Sequence, residues 1–395
     1  MRQPGRRAER SKKTIDRQRV RGAIVGLVLG LVGLGSASAV DASLEAADQG
    51  DPIDLVIALD TSGTMRGLLD AARVSLWEVV NDLAALEPTP RLRVAIISFG
   101  NQSGSPSTGW VRLETDLTAD IDLVSERLFS LESRGANEYV GRVLRTALEE
   151  LSWSGSEHAL KLLFVAGNES ADQDQEIGFR EMSEAVKRAG ISLSAIFCGG
   201  SEDEEAATWK EMAELAEGRF ATVDHAAGAI VTATPFDREL GELGALLNAT
   251  YLPLGEAGRE EKKSRSRQDR NARSMGAAVA ATRAQTKGSA LYASQWDLVD
   301  AVTSGRIRLD EVDPEKLPRD LRSLSPEELL AVVEEMAGLR DELRHRITEL
   351  AAQRRAVVSE RLDESSRRDD RSFDRVVRQT VREKAREMGY SLPRD

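Results

Sequence analysis

Cysteine is almost absent from this 395-residue chain, where Cys198 stands alone. No intramolecular disulfide can form, and a zinc site built on two or more thiolates is excluded. Histidine is nearly as scarce. His158, His225 and His345 lie far apart, none has the sequence neighbours of a catalytic triad, and each reads as a surface residue. Aromatics make up only 4% of the chain, too few for a single-strand nucleic-acid groove built from stacking platforms. Positive charge is in deficit as well. A formal net charge of -12 argues against a broad DNA-binding face and against nucleic acid as a partner. No nucleophile elbow, phosphate loop or His-Glu-x-x-His pattern occurs, so the chain reads as a non-enzyme.

What is present is material for a sizeable core, with 41% hydrophobic and 30% charged residues, and length for two or three structural units. The N-terminus is basic, with nine Lys and Arg between Arg2 and Arg21 against Glu9 and Asp16. An apolar run from Ala23 to Leu34 and the small-residue exit Ala37-Ser38-Ala39 follow. This pattern describes a secretory signal peptide over residues 1–39 and export across the inner membrane into the periplasm. The run is short for a membrane span, which takes about 20 residues. The alternative is an uncleaved anchor over residues 23–38, the one membrane contact expected. Loss of the leader leaves the remainder more acidic still, which repels anionic membranes and nucleic acids and tolerates divalent cations. Cys198 closes the apolar run Leu193–Phe197 and suits a buried, inert position.

Residues 40–51 read as a linker. From there to residue 235, apolar runs alternate with helical periodicity. Ile53–Asp60, Leu92–Phe99, Leu160–Ala166 and Ile191–Cys198 are near-continuous apolar strands; Trp110–Leu113 is a short edge strand and Arg219–Val223 a last one. Helices are expected over Gly67–Leu86, Ile121–Leu131, Val140–Leu151, Glu176–Ala189 and Glu204–Glu217. Strands buried on both faces and separated by helices predict an α/β fold with a doubly wound, mostly parallel sheet. Ligands of such sheets bind beyond the carboxyl ends of the strands.

The first strand ends in Asp60-Thr61-Ser62-Gly63-Thr64. An acid and two hydroxyls at alternate positions project to one side of an extended turn, and their oxygens suit Mg²⁺, Ca²⁺ or Mn²⁺. In this place the run resembles the metal-ion-dependent adhesion site of von Willebrand factor type A (VWA) domains, and the order of elements over residues 52–235 is similar to that fold. The resemblance implies that Asp60, Ser62 and Thr64 contact a divalent cation, Asp60 through water, and that the chain is a protein-interaction module with a partner in the cell envelope. Two positions depart from the family. In Gly135–Gly141, Glu138 stands where a threonine is usual. In Val165-Ala166-Gly167-Asn168-Glu169 the usual aspartate is missing, with Asn168 or Glu169 as the nearby substitutes. Asp60, Glu138 and Glu169 together would overneutralise a divalent ion and favour its retention over recruitment of a partner's carboxylate. Read differently, Glu138 and Glu169 could form the acid/base pair of a hydrolase. These segments and Ala195–Gly200 resemble secreted bacterial members of the family.

The remainder is read as an α-helical C-terminal region. Residues 236–305 form a helical extension and basic linker, in which Glu256–Lys287 is a solvated helix or flexible segment and Trp296 a core anchor. Over residues 306–395, the capping box Ser325-Pro326-Glu327-Glu328 opens a long helix. Leu329, Met336, Leu343, Leu350 and Val357 repeat every seventh residue, and Val333 and Ile347 share a second row that Arg340 and Arg354 interrupt. The spacing predicts a short coiled coil or helical hairpin. It would serve a homo-oligomer through residues 325–362, docking to a partner, or packing within the chain. A metal-free scaffold acting through this coiled coil is the alternative to the metal-bearing module.

Overall fold

Strand β1, Pro52–Asp60, is buried from end to end. Its side chains alternate between two apolar layers: Ile53, Leu55, Ile57 and Leu59 enter one core, Val56 and Ala58 the other. The computed structural model describes residues 50–63, 65–135, 137–223, 232–292, 294–365 and 372–391. The leader and the linker as far as residue 49 lie outside them.

β1 lies between β2 (Arg91–Phe99) and β4 (Leu160–Gly167), parallel to both. β5 (Ser192–Phe197) and β6 (Arg219–Thr222) extend the parallel sheet on one side, and β3 (Arg112–Thr118) closes the other as an antiparallel edge, giving the order β3-β2-β1-β4-β5-β6. The edge strand runs to Thr118, well past the expected Leu113, because Glu114 and Asp116 break its apolar pattern without breaking its pairing to β2. Helices α1 (Arg66–Ala84) and α2 (Ile121–Ser130) cover one face. Helices α3 (Val140–Glu149), α4 (Phe179–Arg188) and α5 (Ala206–Leu215) cover the other. α4 begins at Phe179 instead of Glu176, since Asp174 and Glu176 are held in the preceding loop by Arg142, at 2.6 Å each. No helix among the described residues is long and apolar enough to cross a membrane.

The C-terminal helices are α6 (Asp237–Leu247), α7 (Gly255–Ser274), α8 (Ala277–Gly288), α9 (Leu298–Thr303), α10 (Pro326–Ser365) and α11 (Phe373–Glu387). The described residues form one compact unit. Phe373, Val377 and Val381 of α11 join the same core as Leu55 of β1. Arg378 and Arg382 anchor that helix to Asp82 on α1, at 2.6 and 2.8 Å.

The expected solvated or flexible stretch over Glu256–Lys287 is corrected here. α7 and α8 bury part of their charge, Arg265, Asp269, Arg283 and Lys287, while Glu256, Glu260, Lys263, Arg267, Arg270 and Arg273 stay exposed. The Arg283 guanidinium is 1% exposed and donates to Asp122 Oδ1 and Asp269 Oδ1, both at 2.6 Å, while lying over the Trp77 ring. Lys287 donates to Asp269 and Asn248. Arg265 sits over Tyr251, Tyr292 and the half-buried Trp296. Burial alone would raise the Asp122 carboxyl, but Arg283 and Arg265 pull it below its usual range. Burial pushes the Lys287 ammonium down to about 8 despite Asp269. Composition cannot show this arrangement, because each charge is tolerable only opposite its partner.

The heptad row of α10 is also used within the chain. Leu329, Val333, Met336, Leu343, Ile347 and Leu350 are buried against α6, α8 and α9. The two arginines that interrupt the row tie it down. Arg340 donates to Asp297 Oδ2 at 2.9 Å and to Thr250 O at 2.8 Å, and Arg354 to Asp237 Oδ1 at 3.0 Å. Of the three uses expected for residues 325–362, packing within the chain is the one these contacts describe.

Two measurements follow from this packing. Arg283→Ala, which leaves Asp122 and Asp269 short of a cation in a dry interior, should lower unfolding free energy by about 3–5 kcal/mol in urea denaturation. Leu343→Ala should cost about 2–5 kcal/mol, with a denaturation midpoint independent of protein concentration. A midpoint that rises with concentration would restore the intermolecular coil.

Candidate metal site at the carboxyl edge of the sheet

β1, β2 and β4 end side by side at Asp60, Phe99 and Gly167. Asp60 is fully buried, and its carboxyl accepts from its own turn: Ser62 N–H to Oδ1 at 2.6 Å and Ser62 Oγ to Oδ2 at 3.1 Å. Thr61 faces away, donating its hydroxyl to Phe99 O at 2.8 Å, which fixes the turn to the neighbouring strand. Gly100 follows with φ +70, and a Cβ there would lie 2.8 Å from Asp60 Oδ1 and 3.0 Å from Glu138 Cγ. Both the left-handed backbone and the close approach require glycine.

The α2–α3 loop, residues 131–139, is stitched onto this turn. Arg134 N–H donates to Thr61 O at 2.9 Å, Ser133 Oγ donates to Ser62 O, and the buried Asn101 Nδ2 donates to Glu132 O at 2.6 Å. The loop delivers Glu138, whose side chain is wholly buried against Asp60 and Ser62. Glu138 N–H donates to Gln173 Oε1 at 3.2 Å, and Glu138 Oε2 accepts the Glu169 N–H at 3.4 Å. Glu138 Oε1 is buried with no hydrogen-bond partner.

The Asp60 and Glu138 carboxyl groups are buried together and act on each other's ionisation. Burial raises the Asp60 pKa to about 7, against the pull of the Ser62 N–H. Burial, reinforced by the Asp60 charge, raises Glu138 to about 9. Two carboxylates in one desolvated place cannot both ionise without a counter-charge. Other buried acids have one. Asp54 pairs with Arg93, Asp122 with Arg283, Asp174 with Arg142, Asp237 with Arg354, Asp269 with Lys287 and Asp297 with Arg340. Among the described residues, no Lys or Arg pairs with Asp60 or Glu138. With the Ser62 hydroxyl, they form a hard oxygen set that fits a divalent cation, and the orphan Glu138 Oε1 is the atom such an ion would satisfy.

The structure thus brings together Asp60, Ser62 and Glu138 of the expected ligands. Thr64 lies outside the described residues. Glu169 is exposed: its carboxylate accepts from Gln173 Nε2 at 2.6 Å, its backbone N–H donates to Glu138 Oε2, and its charge adds to the upward push on both Asp60 and Glu138. Trp209 Nε1 holds Glu169 O at 2.7 Å, which sets the course of the loop as it leaves β4. Of the three expected carboxylates, Asp60 and Glu138 are buried together and Glu169 stands exposed. Among the described residues there is no cluster of three or more His, Cys, Asp or Glu suited to a metal. Asn101, Ser133 and Gln173, which hold the loops in register, carry no local sequence signal; only the Ser/Gly-rich character of the stretch after Asn101 marked a loop there. Cys198 is buried next to β4, its N–H on Gly167 O, and burial with the charges of Asp60 and Glu138 pushes its thiol well up.

Residues 54–232 match the von Willebrand factor type A domain family. Similar solved structures include an aerotolerance-related membrane protein from Bacteroides fragilis, at 19% identity over 44% of this chain and 94% of that one, with a TM-score of 0.31. The SpRpn10 VWA domain matches at 13% identity over 46% of this chain and 99% of its own, with a TM-score of 0.34. Proximal thread matrix protein 1 of the mussel byssus, solved with a zinc-occupied MIDAS motif, matches at 13% identity over 43% of this chain and 41% of its own, with a TM-score of 0.35. No curated protein matches the sequence. The sheet order, the acid-tipped first strand and the family match agree: the chain carries a von Willebrand factor type A domain, in a family of protein-interaction modules that often hold a metal ion at this edge.

Proposed function

We propose that the chain is an exported protein-interaction module whose VWA domain holds a divalent cation, Mg²⁺ or Ca²⁺, on Asp60, Ser62 and Glu138, and engages a protein partner of the cell envelope at that face. The carrying observation is the buried Asp60–Glu138 pair, which lacks the basic partner found beside the other buried acids. The ion would supply that charge and replace the protons the pair otherwise shares. Export to the periplasm rests on the basic, apolar and small-residue pattern of residues 1–39. The competing scaffold, acting through a coiled coil, is disfavoured because the apolar row of α10 is buried within the chain.

Mg²⁺ or Ca²⁺ should raise the melting temperature of the chelator-treated protein, and Asp60→Asn and Glu138→Gln should each remove most of that rise. An unshifted parent protein overturns the metal site. pH supplies a second readout. Both folded-state pKa values lie above the ordinary carboxylate range, so the fold retains protons that the unfolded chain has released. The resulting stability is full below the unfolded values and is lost as pH rises through about 7 and then about 9. The melting temperature of the chelated protein should therefore fall across this window. Saturating cation, or Glu138→Gln, should flatten the fall.

A further inference from the structure

We propose that Gln173 is a positioning residue for the Asp60–Ser62–Glu138 site: its side-chain amide sets where Glu138 stands, and through it how tightly the site holds a divalent cation. This rests on reading that site as metal-bearing, and it brings a residue of the β4–α4 loop, residues 168–178, into its machinery.

The first ground is a closed ring of hydrogen bonds. Gln173 Oε1 accepts the Glu138 N–H at 3.2 Å, and Gln173 Nε2 donates to Glu169 Oε2 at 2.6 Å. The Glu169 N–H donates back to Glu138 Oε2 at 3.4 Å and completes the ring. One end of the Gln173 side chain therefore meets a donor and the other a carboxylate. An amide offers an acceptor and donors together, whereas an ionised carboxylate or an ammonium offers one kind alone. The same partners fix which way the amide faces, since the reverse would set Nε2 against an N–H and Oε1 against a carboxylate.

The second ground is where the other ties fall. Asn101 on Glu132 O, Ser133 on Ser62 O and the Arg134 N–H on Thr61 O all fasten the entry of the α2–α3 loop. At Glu138 itself, the C=O accepts from Val140 N–H at the start of α3, and the N–H goes to Gln173. Gln173 is thus the tie that reaches the backbone of the ligand residue from another loop.

The third ground is that Gln173 acts from a fixed base. Trp209 Nε1 holds Glu169 O at 2.7 Å, Thr208 Oγ1 accepts the Ala171 N–H at 2.9 Å, and Arg142 holds Asp174 at 2.6 Å. These contacts do not pass through the Gln173 amide, so its removal frees Glu138 while the β4–α4 loop keeps its course. A ligand that loses such backing departs from the geometry an ion demands, at a cost on the order of 10–100-fold in metal affinity.

The test is Mg²⁺ titration of the chelator-treated full chain by isothermal titration calorimetry, with melting curves in chelator beside it. Gln173→Ala changes no charge. It should weaken Mg²⁺ binding roughly tenfold or more. Its melting temperature in chelator should move by less than about 2 °C. Gln175→Ala, at an exposed position of the same loop, should leave Mg²⁺ affinity within about twofold. The swap Glu169→Gln/Gln173→Glu also keeps the net charge and rebuilds the ring with its polarity reversed, the new carboxylate accepting both the Glu138 N–H and the new amide. It should restore Mg²⁺ affinity to within about threefold of the parent. A swap that binds no better than Gln173→Ala overturns the proposal, as does an equal loss in Gln175→Ala. A melting temperature in chelator that drops together with the affinity also overturns it, since Gln173 is then a general brace of the loop. If Mg²⁺ neither binds the parent nor raises its melting temperature, the metal reading fails and takes the proposal with it. If the parent binds Mg²⁺ and Gln173→Ala binds it equally well, the role of Gln173 alone is refuted.

Discussion

Two carboxyl groups, Asp60 and Glu138, share one buried place at the end of the sheet and are desolvated together. Like charges so placed raise each other's pKa and make ionisation costly until a cation arrives. The rest of the edge is organised around this constraint. Gly100 leaves room for the pair, the Ser62 turn donates to one carboxyl, and the α2–α3 loop is fastened to Thr61 and Ser62 so that Glu138 arrives in register.

The opposite treatment of charge appears below α1 and α2. There Arg265, Arg283 and Lys287 meet Asp122 and Asp269, and the ions are matched within the chain. Such a lattice contributes little net stability relative to apolar packing, because desolvation offsets most of the attraction, but it penalises any arrangement that separates the partners. It therefore specifies how α7 and α8 sit on α2. Arg378 and Arg382 on Asp82, with Arg354 on Asp237, do the same for the last helices. α1, which begins just after the Asp60–Ser62 turn, is thus held by the C-terminal helices along its length.

Alternation of apolar runs with helical periodicity determined the sheet, its mostly parallel sense and the placing of Asp60 and Ser62 at a strand end. These are local properties, set by side-chain period and by where an apolar run stops. Heptad spacing likewise announced the buried row of α10. What α10 packs against, the fate of the Arg, Lys and Asp residues in α7 and α8, and the turning of Glu169 toward Gln173 were decided only in three dimensions. A charged residue reads as solvated until its partner is known, and Asp122 and Arg283 are 161 positions apart in the chain. Pairing over such separations leaves no periodic trace in a sequence, which is why the acid-tipped edge was legible and the charged interior was not.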